Sequence, residues 1–267
     1  MFGRRKVAAL AAEFLATGVL TLVVLSVQRS TIGVPYFVAL AAGLVIAMLV
    51  FVFGGISAVH ANPAITLAMW TARKVGSLTA VLYIVVQLLG AWAAYALYTY
   101  FVNSSLQEIG GTYTGRVMVA EAVGALVLAL GWASVAYRTG FTVGNRAAVL
   151  GVSYALAVIV AAGAGIGLVN PAVALGTRAW EVFGSMGWGT YVLGPVLGAV
   201  IGVNLYGLLF APAAQDEETV VIDEVVITEA TVAPTANSAV AKKTTRKTST
   251  TRKSTAKKPA AKRATRK

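Results

Sequence analysis

Apolar residues in this 267-residue chain gather into six runs, roughly 7–27, 34–54, 75–100, 116–136, 146–164 and 188–210. Each is long enough to cross a hydrocarbon core about 30 Å thick as a helix, which takes about 20 residues. Glycines break the pattern twice, at Gly54-Gly55 after the second run and between Gly163 and Gly167 after the fifth. Behind each break stands the same triplet, Asn62-Pro63-Ala64 and Asn170-Pro171-Ala172. Asn caps helices and Pro favours the first helical position, so each triplet predicts a helix start. The first such helix, from Asn62 to about Thr71, has ten residues. That is about 15 Å of helix, half of what a crossing needs. Two re-entrant half-helices entering from opposite faces would meet tip to tip near the midplane. Non-helical backbone at that depth is tolerated only when buried in protein or lining a water-filled cavity. The pattern points to a channel or a transporter.

It also repeats. Ala12-Glu13 opens the first run and Ala120-Glu121 the fourth, and Glu13 precedes Asn62 by 49 residues, as Glu121 precedes Asn170. Each half reads span, span, half-helix, span, and an odd number of spans inserts the two halves in opposite orientations. The predicted fold class is an all-α membrane protein over residues 1–210: six transmembrane helices plus two re-entrant half-helices in an inverted 3+3 repeat. Residues 211–267 read as a separate disordered cytoplasmic tail. It is acidic from Asp216 to Glu229 and rich in Lys, Arg, Thr and Ala over 242–267.

Composition narrows the chemistry. With 58% apolar and 12% charged residues and a mean hydropathy of +0.77, the chain is not an ordinary soluble domain. The absence of Cys excludes disulfides, thiolate metal sites and a Cys nucleophile. One His and ten acidic residues, six of them in the tail, leave little for catalysis, and no enzyme, cofactor or metal is indicated. The net charge is +12, and the tail's 12 basic and 6 acidic side chains carry half of it.

Placing the N-terminus inside puts Arg4, Arg5, Lys6, Arg73, Lys74, Arg138, Arg146 and the tail cations in the cytoplasm. Only Arg29, Arg116 and Arg178 then lie outside, so both termini read as cytoplasmic in a multi-pass protein of the cell membrane. The basic tail has three readings: a solvated segment, a tether to anionic lipid or an acidic partner, and a nonspecific nucleic-acid contact. Its lack of aromatic residues argues against base stacking.

Glu13 and Glu121 are the carboxylates well inside spans, where an unpaired charge is costly. They read as structural acceptors tying the re-entrant loops to the scaffold, with a proton relay as the rival. His60 reads as a loop-tethering hydrogen bonder rather than a gate or a metal ligand, because a lone His lacks co-ligands. Arg178 either snorkels or pairs with Glu181.

Residues 7–210 resemble the aquaporin and glycerol-facilitator family (major intrinsic proteins). The resemblance rests on Ala12-Glu13-Phe14, on Gly55-Ile56-Ser57 with His60 and the first triplet, and on Gln87-Leu88-Leu89-Gly90-Ala91. Ala120-Glu121, the second triplet, and Gly194-Pro195 with Gly198-Ala199 complete it. It implies a right-handed six-helix bundle around one pore, embedded in the lipid bilayer and usually assembled as a homotetramer. It also implies passive passage of water and small neutral solutes such as glycerol, urea, ammonia or hydrogen peroxide.

An outer selectivity filter is implied as well. Gap-free placement on the motifs puts its four positions on Ala42, Val158, Gly167 and Val173. Water-selective members usually carry an aromatic residue at the first, often His at the second, and nearly always Arg directly after the second triplet. Here all four are small or apolar, so a wide, weakly polar mouth is expected and strict water selectivity is not. Two rival functions remain at this point. One is a secondary transporter, which also uses inverted repeats and broken helices. The other is a membrane anchor whose tail recruits a partner.

Because no thiol is present, mercurial reagents are expected to leave proteoliposome flux unchanged. Inhibition that added thiol reverses would contradict this.

Overall fold

The computed structural model describes residues 3–30, 34–106, 114–181 and 185–211. The tail reading for 212–267 lies outside the described residues. Among these residues all regular structure is helical. The first half contains α1 (Arg4–Gln28), α2 (Pro35–Phe53), the short α3 (Pro63–Thr71) and α4 (Ser77–Val102). The second contains α5 (Gly115–Tyr137), α6 (Val143–Ala162), the short α7 (Pro171–Thr177), α8 (Ser185–Trp188) and α9 (Gly194–Phe210). Six helical stretches are long and apolar enough to cross a membrane: α1, α2, α4, α5, α6 and the last, Met186–Phe210. Their bounds fall within a few residues of the runs read from the sequence. The half-helices α3 and α7 have 9 and 7 residues, too short to cross.

The last span contains a turn that periodicity does not reveal. Residues Gly189–Leu193 form a π-helical turn, with the Gly194 N–H bonded to the Gly189 carbonyl. Pro195 explains it. A proline has no N–H for the carbonyl four residues back and its ring collides with that carbonyl, so the preceding turn widens.

The packing keeps the inverted repeat. Helix α1 lies against α4 and α5 against α9, while α2 meets α6 across the two halves. Each half-helix reaches into the opposite half, α3 packing on α9 and α7 on α4 and α1. Backbones approach closely at small residues, as membrane helices require in the absence of a hydrophobic drive between them. A methyl added to Gly43 would lie 2.6 Å from the Gly151 carbonyl oxygen, and one added to Gly151 would lie 2.7 Å from that of Gly43. On Gly198 it would run into the Ala122 carbonyl, and on Gly90 into that of Phe14.

Gly198→Ala is expected to lower the thermal stability of the detergent-purified protein by about 1–3 kcal/mol, through a forced shift of α9 from α5. Gly55→Ala, where the new methyl meets nothing within 4 Å, is the control and should stay within about 0.5 kcal/mol. Equal melting curves for the two variants would show that the α5–α9 approach is not tight.

Candidate functional site: a polar midplane between two half-helices

The two segments that lead into α3 and α7 share an unusual backbone. Val59 and Ala61 have φ of 49° and 46°, and Gly167 and Val169 have φ of 67° and 51°. In both halves these are the third and the first residues before the capping Asn. Left-handed backbone costs little at Gly167 but is a genuine outlier for a β-branched Val. Such strain persists only where the surroundings over-determine it.

Two buried carboxylates supply that constraint. Glu13 Oε1 accepts from Ser57 Oγ at 2.7 Å and from the His60 N–H at 3.0 Å. Its Oε2 accepts from the Ala61 N–H at 2.8 Å and from Gln87 Nε2 at 2.9 Å. Glu121 does the same work with fewer donors, accepting from Leu168 N–H at 2.9 Å and Val169 N–H at 2.6 Å. Each carboxylate thereby satisfies amides that would otherwise stand unpaired at membrane depth. The halves differ because Ser57 and Gln87, carried 108 residues forward, fall on Gly165 and Pro195, which have no side-chain donor.

The triplets sit where these segments end. Asn62 caps α3, its Oδ1 accepting from the Ala64 N–H at 2.8 Å. Asn170 caps α7, accepting from the Ala172 and Val173 N–H groups at 3.0 and 3.4 Å. Pro63 and Pro171 each occupy the first helical position. The side-chain amides then cross over: Asn62 Nδ2 donates to the Val169 carbonyl at 3.0 Å, and Asn170 Nδ2 to the Ala61 carbonyl at 2.8 Å. Asn170 Nδ2 also donates to the Tyr154 hydroxyl at 3.2 Å. The two helix N-termini therefore face each other across a reciprocal pair of hydrogen bonds. Each brings about half a positive charge to the midplane.

The other residues picked out in the sequence fall around this centre. His60 is 2% exposed; its Nδ1 is hydrogen bonded to Thr66 Oγ1 at 3.1 Å, and its ring stands edge-on to Tyr83 at 5.7 Å. Arg178 forms an ion pair with Glu181 just past the end of α7, which holds its pKa above the ordinary value. Val158 and Gly167 are neighbours, since a methyl on Gly167 would lie 2.5 Å from the Val158 carbonyl oxygen. Ala42, Val158 and Val173 belong to the same buried apolar cluster at 0, 2 and 1% exposure. These four residues are all apolar and buried, as their identities lead one to expect.

On the N-terminal side of the midplane a cavity of about 350 Å³ opens, lined by His60, Met69, Trp132 and Leu150 among others. Lys74, Arg138 and Arg146 also line it.

Sequence reasoning missed three parts of this centre. The left-handed residues are hidden because three of the four are not glycine. The crossed carbonyl contacts join residues more than a hundred positions apart. Tyr154 looks like an ordinary aromatic residue in an apolar span.

Comparison with known proteins gives a consistent result. Residues 4–206 match the family model described as Major intrinsic protein. Aquaporin-1 of Rattus norvegicus is 33% identical over 190 residues, covering 67% of this chain and 69% of that protein. The Glycerol uptake facilitator protein-like 6 of Lactiplantibacillus plantarum is 32% identical over 200 residues, covering 71% and 92%. Among solved structures, the aquaglyceroporin from Plasmodium falciparum superposes with a TM-score of 0.65 at 20% identity, over 78% of this chain and 98% of its own.

Glu13→Gln and Glu121→Gln each turn an acceptor into a donor facing backbone N–H groups. Each is expected to cost about 1–3 kcal/mol per stranded donor, with Glu13→Gln the worse because four donors converge there. Thermal unfolding in detergent ranks the variants. Wild-type stability in Glu13→Gln would mean that the carboxylate is not what holds the first loop.

Proposed function

This chain belongs to the major intrinsic protein family, and on that premise we propose how it conducts water and small uncharged solutes passively across a membrane. The observation that carries the reading is the pair of facing N-termini with Asn62 and Asn170 tied crosswise. A side-chain amide has two N–H donors, so Asn62 spends one on the opposite loop and turns the other toward a passing oxygen. A water molecule held through its oxygen points its hydrogens away from the midplane, which interrupts the chain of hydrogen bonds that protons would follow. The two positive helix ends repel cations at the same level. No bond is made or broken, and flux follows the solute's own gradient.

Supporting this over a coupled transporter, both described carboxylates inside the spans accept backbone N–H groups and are committed to the scaffold. The cell membrane with both termini cytoplasmic is the setting we propose, supported by Arg73, Lys74, Arg138 and Arg146 gathering on the N-terminal face. A homotetramer is proposed as well. Leu40, Leu44, Met48 and Phe51 leave an exposed apolar stripe along α2 for lipid or a neighbouring copy.

At the outer constriction we propose selection by an apolar ring of Ala42, Val158, Gly167 and Val173 in place of a cationic one. Such a ring resists wetting rather than holding an ordered water, so it does little to exclude solutes bearing carbon. Val173→Arg is expected to lower the ratio of glycerol to water permeability several-fold and to reduce folded yield, because the guanidinium enters an apolar cluster without a carboxylate. Val173→Ala removes two methyls from the packed ring and should raise that ratio. Stopped-flow measurements on proteoliposomes, normalised to reconstituted protein, give both numbers. A ratio unchanged in both variants would remove Val173 from the constriction.

A further inference from the structure

Tyr154 on α6 meets one of the two crossed asparagines. Arg146, Leu150, Tyr154 and Val158 follow one another at intervals of four along α6, and so share one face of that helix. Arg146 and Leu150 line the inner cavity at one end of this stripe. At the other end the Val158 carbonyl lies against Gly167 in the outer ring. Tyr154 falls between them, level with the midplane, where its hydroxyl accepts from Asn170 Nδ2. Its side chain is 1% exposed and is among the largest fully buried ones in the protein.

That hydrogen bond breaks the symmetry of the two asparagines. Asn170 gives one N–H to the Ala61 carbonyl and the other to Tyr154, so both its donors are taken within the protein. Asn62 gives one to the Val169 carbonyl and keeps the second. The residue 108 positions before Tyr154 is Ile46, also fully buried, whose side chain cannot accept. The first half therefore has no counterpart to this bond.

We propose that Tyr154 is a specificity-determining residue of the midplane, occupying the Asn170 N–H that a permeating molecule needs. In each transit the solute's oxygen displaces the Tyr154 hydroxyl from Asn170, and the hydroxyl returns once the solute has passed. The molecules favoured are small and neutral and carry an oxygen able to accept from the amide, with a hydrogen to offer in return. Solutes lacking an acceptor meet a closed contact and an aromatic ring. This inference rests on the channel reading and deepens it.

The test compares wild type, Tyr154→Phe and Tyr154→Leu in proteoliposomes, recording water and glycerol permeability and the temperature dependence of water flux. Thermal unfolding is followed in parallel. Tyr154→Phe keeps the ring and frees the Asn170 N–H, so water flux per folded protein should rise about three- to tenfold, the equivalent of one ordinary hydrogen bond. Its temperature dependence should flatten. Tyr154→Leu also shortens the side chain and should raise glycerol permeability further. A purely structural role for Tyr154 would lower the melting temperature without increasing flux.

Water flux in Tyr154→Phe at or below the wild-type level, with wild-type folding, overturns the proposal while leaving the channel reading intact. Should Tyr154→Phe fail to fold, Tyr154→Leu decides by the same criterion. If all three proteins are folded and none conducts above empty vesicles, both readings fall, because freeing the amide should have opened the path. Conduction confined to the two variants would support the proposal.

Discussion

Everything in this molecule depends on satisfying two short stretches of non-helical backbone at the middle of a membrane. An unpaired N–H or C=O there costs several kcal/mol, about as much as a folded domain has to spare. Glu13 and Glu121 answer for the amides of residues 60, 61, 168 and 169. Asn62 and Asn170 answer for the carbonyls of residues 169 and 61. The left-handed turns at Val59, Ala61, Gly167 and Val169 are what aim those groups at their partners. Remove the carboxylates and the strained turns lose the reason they persist.

Much of this was legible from residue order. Six apolar runs, two glycine breaks and a repeated triplet contain the topology, because span length and helix capping are local properties. The equal spacing from each Glu to its Asn exposes the inverted repeat for the same reason. What could not be read depends on distance in the chain. No local rule says that Asn62 and the Val169 carbonyl meet, or that Ser57 and Gln87 converge on Glu13. The outer ring shows the limit most clearly. Its apolar character follows from identity alone, but that the Val158 carbonyl lies beside Gly167 depends on how two distant segments meet.

The two halves are alike in outline and unlike in how their buried carboxylates are held. Four donors brace Glu13, but two brace Glu121. The π-helical turn and Pro195 also fall in the second half, which carries Tyr154 and every proposed outer-ring residue but Ala42. The cations of the inner cavity lie beyond this region, at the mouth, where they act on whatever approaches rather than on what is already in file.

The crossed asparagine contacts also constrain the order of biogenesis. Asn62 and its carbonyl partner are 107 residues apart, and Asn170 and its partner 109. At a synthesis rate of about 5–20 residues per second, the first loop waits roughly 5–20 s for the segment that completes it. During that interval the first three spans can insert, but the re-entrant loop has no protein partner for Asn62 and must stay hydrated or shielded by the insertion machinery. Only the arrival of the fifth span and the second loop allows both to descend together. The midplane can thus close only after the fifth span is made, and an arrested chain ending before residue 169 would hold a half-helix with no opposite number.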